Sequence, residues 1–208
     1  MANDQFSVIS DSYCVPYYVD LRIDTKTGVT YDRNGQVHFS TEAPLWTLHH
    51  RRVLLGAGRN PVVTLYKERK LTHGRWNVFK GESNDSSQLL FTVKKSSKFQ
   101  RGDLKLHVFL ANNIDGNVCD FRVNVGCGKS LCDVYDGESQ KIIAKMEKND
   151  GFNVLILPNV DYAFIVALLL IIEEMHDYYD STKAVAQGIS QGLTLSMGVV
   201  QMINGGGI

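Results

Sequence analysis

A chain of 208 residues that is 44% apolar and carries 18 glycines is long enough for one domain with its own core. Its 22 basic and 22 acidic residues cancel, which removes any global pull toward nucleic acid or anionic lipid. The cysteines (Cys14, Cys119, Cys127, Cys132) show no C-x-x-C spacing, which argues against structural zinc or a disulfide framework and fits reduced thiols.

The N-terminus, MANDQFSVIS, has no basic stretch leading into an apolar one, so no secretory signal is expected. Between residues 13 and 157 the pattern is strands and turns. VTYDRNGQVHFS has β-rich arms around Asn34-Gly35, a strong hairpin signal. RRVLLGAGRNPVVTLYKE turns at 56–61, WNVFKGESNDSSQLLFTVKK at 83–87, LKLHVFLANNIDGNVCDFRVNV at 112–116, and LCDVYDGESQKIIAKME at 136–139. These make about ten strands in five successive hairpins, spaced like an antiparallel sandwich or barrel. A weak repeat matches His49 with His73 and Arg51 with Arg75. It reads either as a paired metal or phosphate site or, as favoured here, as two equivalent strand entries.

PNVDYAFIVALLLIIEE, from residue 158, is the one sustained helical stretch. Residues 162–172 are all apolar or aromatic. As a helix they measure about 16 Å, against about 30 Å of hydrocarbon. Pro158 separates them from the strand-like 154–157, so no membrane span is expected. Asn159 or Asp161 is placed to cap the helix. A helix without a polar face needs protein on every side, with Tyr162, Phe164, Ile165, Leu168, Leu169 and Ile172 as its core residues. A strand meander followed by such a helix predicts a closed barrel with the helix through its centre, which also removes exposed sheet edges.

Chemistry-bearing motifs are sparse. There is no G-x-S-x-G, no phosphate-binding G-x-x-x-x-G-K-[ST] and no H-E-x-x-H. No enzymatic activity, cofactor or metal is therefore expected. GCGKS, 126–130, lacks the full phosphate-loop spacing. His49-His50 reads as structural, Asp133 and Asp136 as turn residues, and Glu173-Glu174 as solvated charges at the barrel mouth. The best functional signal is electrostatic. Residues 67–105 hold ten basic side chains and four acidic ones. Lys67, Arg69, Lys70, Lys94, Lys95, Lys98 and Arg101 fall near strand ends of adjacent hairpins and are candidates to converge on one rim. Such a cluster suits an anionic head group, each charge contributing about 1 kcal/mol near an anionic surface.

The blocks SYCVPYYVDL, DRNGQVHF, PLWTLHHRRVLL, NPVVTLYKERKLTHGRWNVFKGES, LLFTVKKSS, LHVFLANN, VCDF and LPNVDYAFIVALLLIIEE occur in order. Together, over roughly 12–176, they closely resemble the plant LURP-one-related proteins. That family is similar to the tubby C-terminal domain and to phospholipid scramblases. The resemblance implies a twelve-stranded antiparallel β-barrel around a central hydrophobic helix, a role in plant defence, and a membrane-tethered regulatory module of the kind that holds phosphoinositides. RIDTKTGVTY and NDGFNVLI are shorter than the corresponding family segments, so one or two strands are expected to be reduced, leaving a gap in the wall.

The expected organisation is a flexible N-terminus over 1–11, a barrel domain over 12–180 and a loosely ordered tail over 181–208. The expected function is non-enzymatic binding of anionic phospholipid by a cytoplasmic protein, peripheral at the plasma membrane or nuclear. Nucleic acid is not expected as a partner. A protein-binding scaffold without a lipid ligand is the alternative, and a scramblase-like lipid transporter a more distant one.

Overall fold

The structure, a computed structural model, describes residues 5–24, 26–42, 51–68, 74–96, 104–126, 131–149 and 151–175. Within them the chain forms twelve strands: β1 (Val19–Asp24), β2 (Val29–Asp32), β3 (Val37–Glu42), β4 (Arg51–Gly56), β5 (Pro61–Lys67), β6 (Trp76–Lys80), β7 (Leu89–Lys95), β8 (Leu104–Leu110), β9 (Phe121–Val125), β10 (Leu131–Asp136), β11 (Ile142–Asn149) and β12 (Gly151–Ile156). Each pairs antiparallel with its neighbours in sequence, and β1 pairs with β12, so the sheet closes into a barrel.

Alternation decides which side chains enter the barrel. On β8, Leu106 and Val108 are buried while Lys105, His107 and Phe109 alternate with them. On β1, Leu21 and Ile23 point in, and on β12 Phe152, Val154 and Ile156 do the same. β4 and β5 differ: both faces are buried from Val53 to Gly56 and from Val62 to Leu65. Thr64 there is fully buried, and its hydroxyl donates to the Gly81 carbonyl at 2.8 Å.

The five hairpins read from the sequence are β2 to β11. The expected gap is absent. The two short stretches lose turn length rather than strands: Asn149 pairs with Gly151 across a single residue, and Asp24 pairs with Val29. Gly151 has φ +129°, and a Cβ there would lie 2.5 Å from the Ile23 carbonyl oxygen. Only glycine lets β12 approach β1 this closely.

The chain divides into two compact units, Met1–Leu169 and Leu170–Ile208. In the first, helix α1 (residues 162–175) begins inside the barrel. From Ala163 to Leu169 it is buried all round, and Phe164 packs on Phe91 of β7 at 5.1 Å and on Phe121 of β9 at 4.9 Å between ring centroids. Across the barrel, half-buried Tyr162 meets Phe39 of β3 at 5.7 Å and Tyr13 at 5.3 Å. Contacts on opposite walls make α1 the axis of the core. In the second unit, the described residues 170–175 continue the helix, with Leu170, Ile171 and Ile172 buried. Glu173 is only 9% exposed, so it is not the solvated charge expected. No helix among the described residues is long and apolar enough to cross a membrane. The tail over 181–208 lies outside them.

Candidate functional site

The strand registers assemble a row of cations on the outer wall. Val93, Leu106, Val108, Phe121 and Val123 point inward, which turns Lys94, His107 and Arg122 outward. Lys94 on β7 lies opposite His107 on β8, His107 opposite Arg122 on β9, and Arg122 opposite Tyr135 on β10. Trp76 pairs with Val93, so Arg75, just before β6, stands beside Lys94. The Glu68 N–H donates to the Arg75 carbonyl at 2.9 Å, which carries the row on to the residue after β5. With strands about 4.8 Å apart, Arg75 and Arg122 start about 14 Å from each other.

Among the described residues the partners of Arg75, Lys94 and Arg122 are shared. Arg75 Nε lies 3.9 Å from Glu68 Oε2, while Glu68 Oε1 accepts from Asn77 Nδ2 at 2.7 Å. The Lys94 ammonium sits 4.5 Å from the Phe109 ring centroid. Burial pushes its pKa down, with Arg75 adding to the shift and Glu68 opposing it. The Arg122 guanidinium lies over Tyr135 at 4.7 Å and donates to the Ser139 carbonyl at 3.1 Å. Its other amino group is 3.8 Å from Glu138 Oε2. The Nε groups of both Arg75 and Arg122 are buried without a hydrogen-bond partner.

Of the seven cations expected at the rim, Lys67, Lys94 and Lys95 fall in the described residues; Arg69, Lys70, Lys98 and Arg101 lie outside them, as do His49, His50 and His73. Lys67 ends β5 and Lys95 ends β7. Both strands run antiparallel to β6, so these two lysines reach the same end of the barrel. Lys67 also approaches the Trp76 ring at 5.8 Å. Lys94 belongs to the outer wall. The sequence reading passed over His107 and Arg122 as site residues; their signal is the alternation in LKLHVFL and FRVNV, which becomes readable once the register is known. Asp133, expected in a turn, lies within β10, where its carboxylate accepts from the Tyr135 hydroxyl at 3.3 Å.

Two other polar features account for their own charges. An open groove of about 430 Å³ beside β1, β2 and β12 is lined by Asp20, Arg22, Asp24, Tyr31, Asp32 and Asn153, among others. Its acids are engaged: Asp24 accepts from the Lys26 and Thr27 N–H groups, Asp32 from those of Asn34 and Gln36, and Asp20 from Arg33. At the start of α1, Asp161 is fully buried. Its Oδ1 caps the helix by accepting the Phe164 N–H at 3.0 Å. Its Oδ2 accepts three successive N–H groups, from Val8 (3.2 Å), Ile9 (2.6 Å) and Ser10 (3.0 Å). Burial pushes this carboxyl up, against the pull of those four amides. Residues 5–14, most of which the sequence reading set outside the barrel domain, are thereby tied to the helix entrance. Phe6 bridges Val160, and Cys14 bridges Asp161. Among the described residues no cluster of three or more His, Cys, Asp or Glu side chains could hold a metal.

Comparison with known proteins gives a consistent result. The family model described as LURP-one-related matches residues 21–173. Protein LURP-one-related 15 of Arabidopsis thaliana is 40% identical over 186 residues, covering 81% of this chain and 85% of that protein. Protein LURP1 of the same plant is 37% identical over 199 residues, covering 88% and 96% respectively. An X-ray structure of an Arabidopsis thaliana protein superposes with a TM-score of 0.68 at 41% identity, covering 82% of this chain and 98% of that one.

Proposed function

The chain belongs to the LURP-one-related family, and on that premise we propose that it is a non-catalytic binding and regulatory module of plant defence, of the tubby-like and phospholipid-scramblase-like kind. It recognises anionic phospholipid, phosphoinositide head groups included, through the basic end of the barrel. The observation that carries this reading is the arrival of Lys67 and Lys95 at one barrel end from two parallel-running strands. The two connections that leave them carry Arg69, Lys70, Lys98 and Arg101 in sequence. Cations gathered at one end act together on a charged surface, the balancing negative charge of a neutral chain lying outside residues 67–105. Kinship with tubby-type domains supports the choice of ligand by analogy alone. In this reading the protein is tethered peripherally, at the plasma membrane or in the nucleus, and the barrel itself is a rigid carrier.

The test is co-sedimentation of the full chain with phosphatidylcholine vesicles with and without phosphoinositide. Binding is expected at low salt and release at high salt. A variant with Lys95, Lys98 and Arg101 all changed to Ala should stay in the supernatant. Equal pelleting of that variant would overturn the reading and leave the protein-binding scaffold as the better account.

A further inference from the structure

We infer that the outer wall between β6 and β9 holds a phosphate-monoester site in which Arg75, Lys94 and Arg122 supply the cations. This goes beyond the lipid reading, since all three residues stand on the outer wall apart from the end cluster and no membrane is required. Three cationic side chains stand in a single register row. Among the described residues the carboxylates in ion-pair range of the two arginines are Glu68 and Glu138, and both are shared. Glu68 also accepts from Asn77, and Glu138 Oε1 lies 3.4 Å from the Cys119 thiol. The row therefore keeps an excess of positive charge on a partly buried surface.

The geometry adds a specific demand. Arg75 Nε and Arg122 Nε are buried donors without acceptors, and buried donors in folded proteins are normally satisfied. A phosphate monoester has three terminal oxygens and close to two negative charges at neutral pH. It offers acceptors for the guanidinium forks, which match its oxygens in pairs. Arg75 starts one strand from Lys94 and Arg122 two, so an anion seated between them is within side-chain reach of both once Arg122 turns from Ser139 and Glu138. Phe109 beside Lys94 and Tyr135 beside Arg122 are aromatic flanks that lower the local dielectric. An anion between them also reverses the repulsion that Arg75 exerts on the Lys94 ammonium. The shared chemistry is the monoester itself, carried by a soluble polyol phosphate or by a lipid head group.

Calorimetric titration of the full chain at low salt tests the site with inorganic phosphate, inositol hexakisphosphate and, separately, phosphoinositide vesicles. Saturable binding of the soluble polyphosphate is expected, weakened at least tenfold in Arg75→Gln/Arg122→Gln. Arg122→Lys, which keeps the charge and removes Nε, should lose most of the affinity that Arg122→Gln loses. Lys95→Ala/Lys98→Ala/Arg101→Ala should retain binding of the soluble probe even if vesicle binding is lost, which separates this site from the end cluster. Should the arginine variants misfold, protection of Arg75 and Arg122 from phenylglyoxal in the wild-type chain by inositol hexakisphosphate, but not by equal ionic strength of sodium chloride, supports the site. Unchanged affinity in the double variant, absence of protection, or vesicle binding that the double variant retains in full overturns it.

Discussion

Asp161→Ala should destabilise the protein more than any other single polar substitution among the described residues. The side chain is fully buried and satisfies four backbone N–H groups, one from α1 and three from residues 8–10. Each donor orphaned in the interior costs about 1–3 kcal/mol, and a lost helix cap about 0.5–2 kcal/mol. Removing the carboxylate also removes its own cost of burial, and water will reach some of the freed amides. The net loss is therefore about 3–5 kcal/mol, a large part of the 5–15 kcal/mol typical of a domain. Urea denaturation followed by intrinsic fluorescence measures it as a fall in midpoint with an unchanged slope. Hydrogen exchange adds the location: Val8, Ile9 and Ser10 should lose protection while Val108 and Val123 in the barrel keep theirs. Asp161→Asn retains one acceptor oxygen and should fall between wild type and Ala. An unaltered midpoint, with residues 8–10 still protected, would refute the assignment of Asp161 as the link between the N-terminal segment and the helix.

Other outcomes follow from the same structure. Phe164→Ala, which empties the space against Phe91 and Phe121, should cost about 3–5 kcal/mol in urea denaturation, and Phe164→Leu less than half of that. Gly151→Ala should cost at least about 2 kcal/mol and expose the Leu21 and Ile23 amides of β1 to exchange. Gly35→Ala, with φ +78° but open space around it, should cost only about 1 kcal/mol. Burial pushes the Cys119 thiol up to about 11 and the Cys132 thiol up to about 12. At pH 8 both should resist iodoacetamide until urea unfolds the chain, as read by mass spectrometry of each cysteine peptide. Backbone hydrogen bonds hold the Asp24, Asp32 and Asp85 carboxyls below their ordinary value of 3.8. Their contribution to stability is present above that value and is lost as pH falls through their lowered folded values. Changing all three to Asn should flatten the acid limb of the stability curve below about pH 4; an acid limb identical to wild type would count against it.

Several features were open to reading without coordinates because they depend on neighbours in sequence. Alternation and the Asn34-Gly35 turn are local, so the hairpins β2 to β11 emerge directly. Residues 162–172 have no polar face, which forces a surrounding wall whatever that wall's details. Asp161 could be named as a helix cap for the same reason. Its second oxygen could not, since its partners at Val8, Ile9 and Ser10 are 151 to 153 residues away. Proximity in sequence grouped Lys94 with Lys95, but consecutive strand residues point to opposite faces, and Lys94 joins Arg75, His107 and Arg122 instead.

By itself, then, the order of residues determined the strand periods, the turns and an all-apolar helix that must be enclosed, because each depends on contacts a few residues long. Only the tertiary structure decided that β1 meets β12 to complete the wall, that residues 5–14 seal the helix entrance, and which side chains share an outer row. The physical reason is register. Bulges between Leu54 and Leu55, Val78 and Phe79, and Val134 and Tyr135 shift the pairing of whole strands, and one residue of slip exchanges the inner face for the outer.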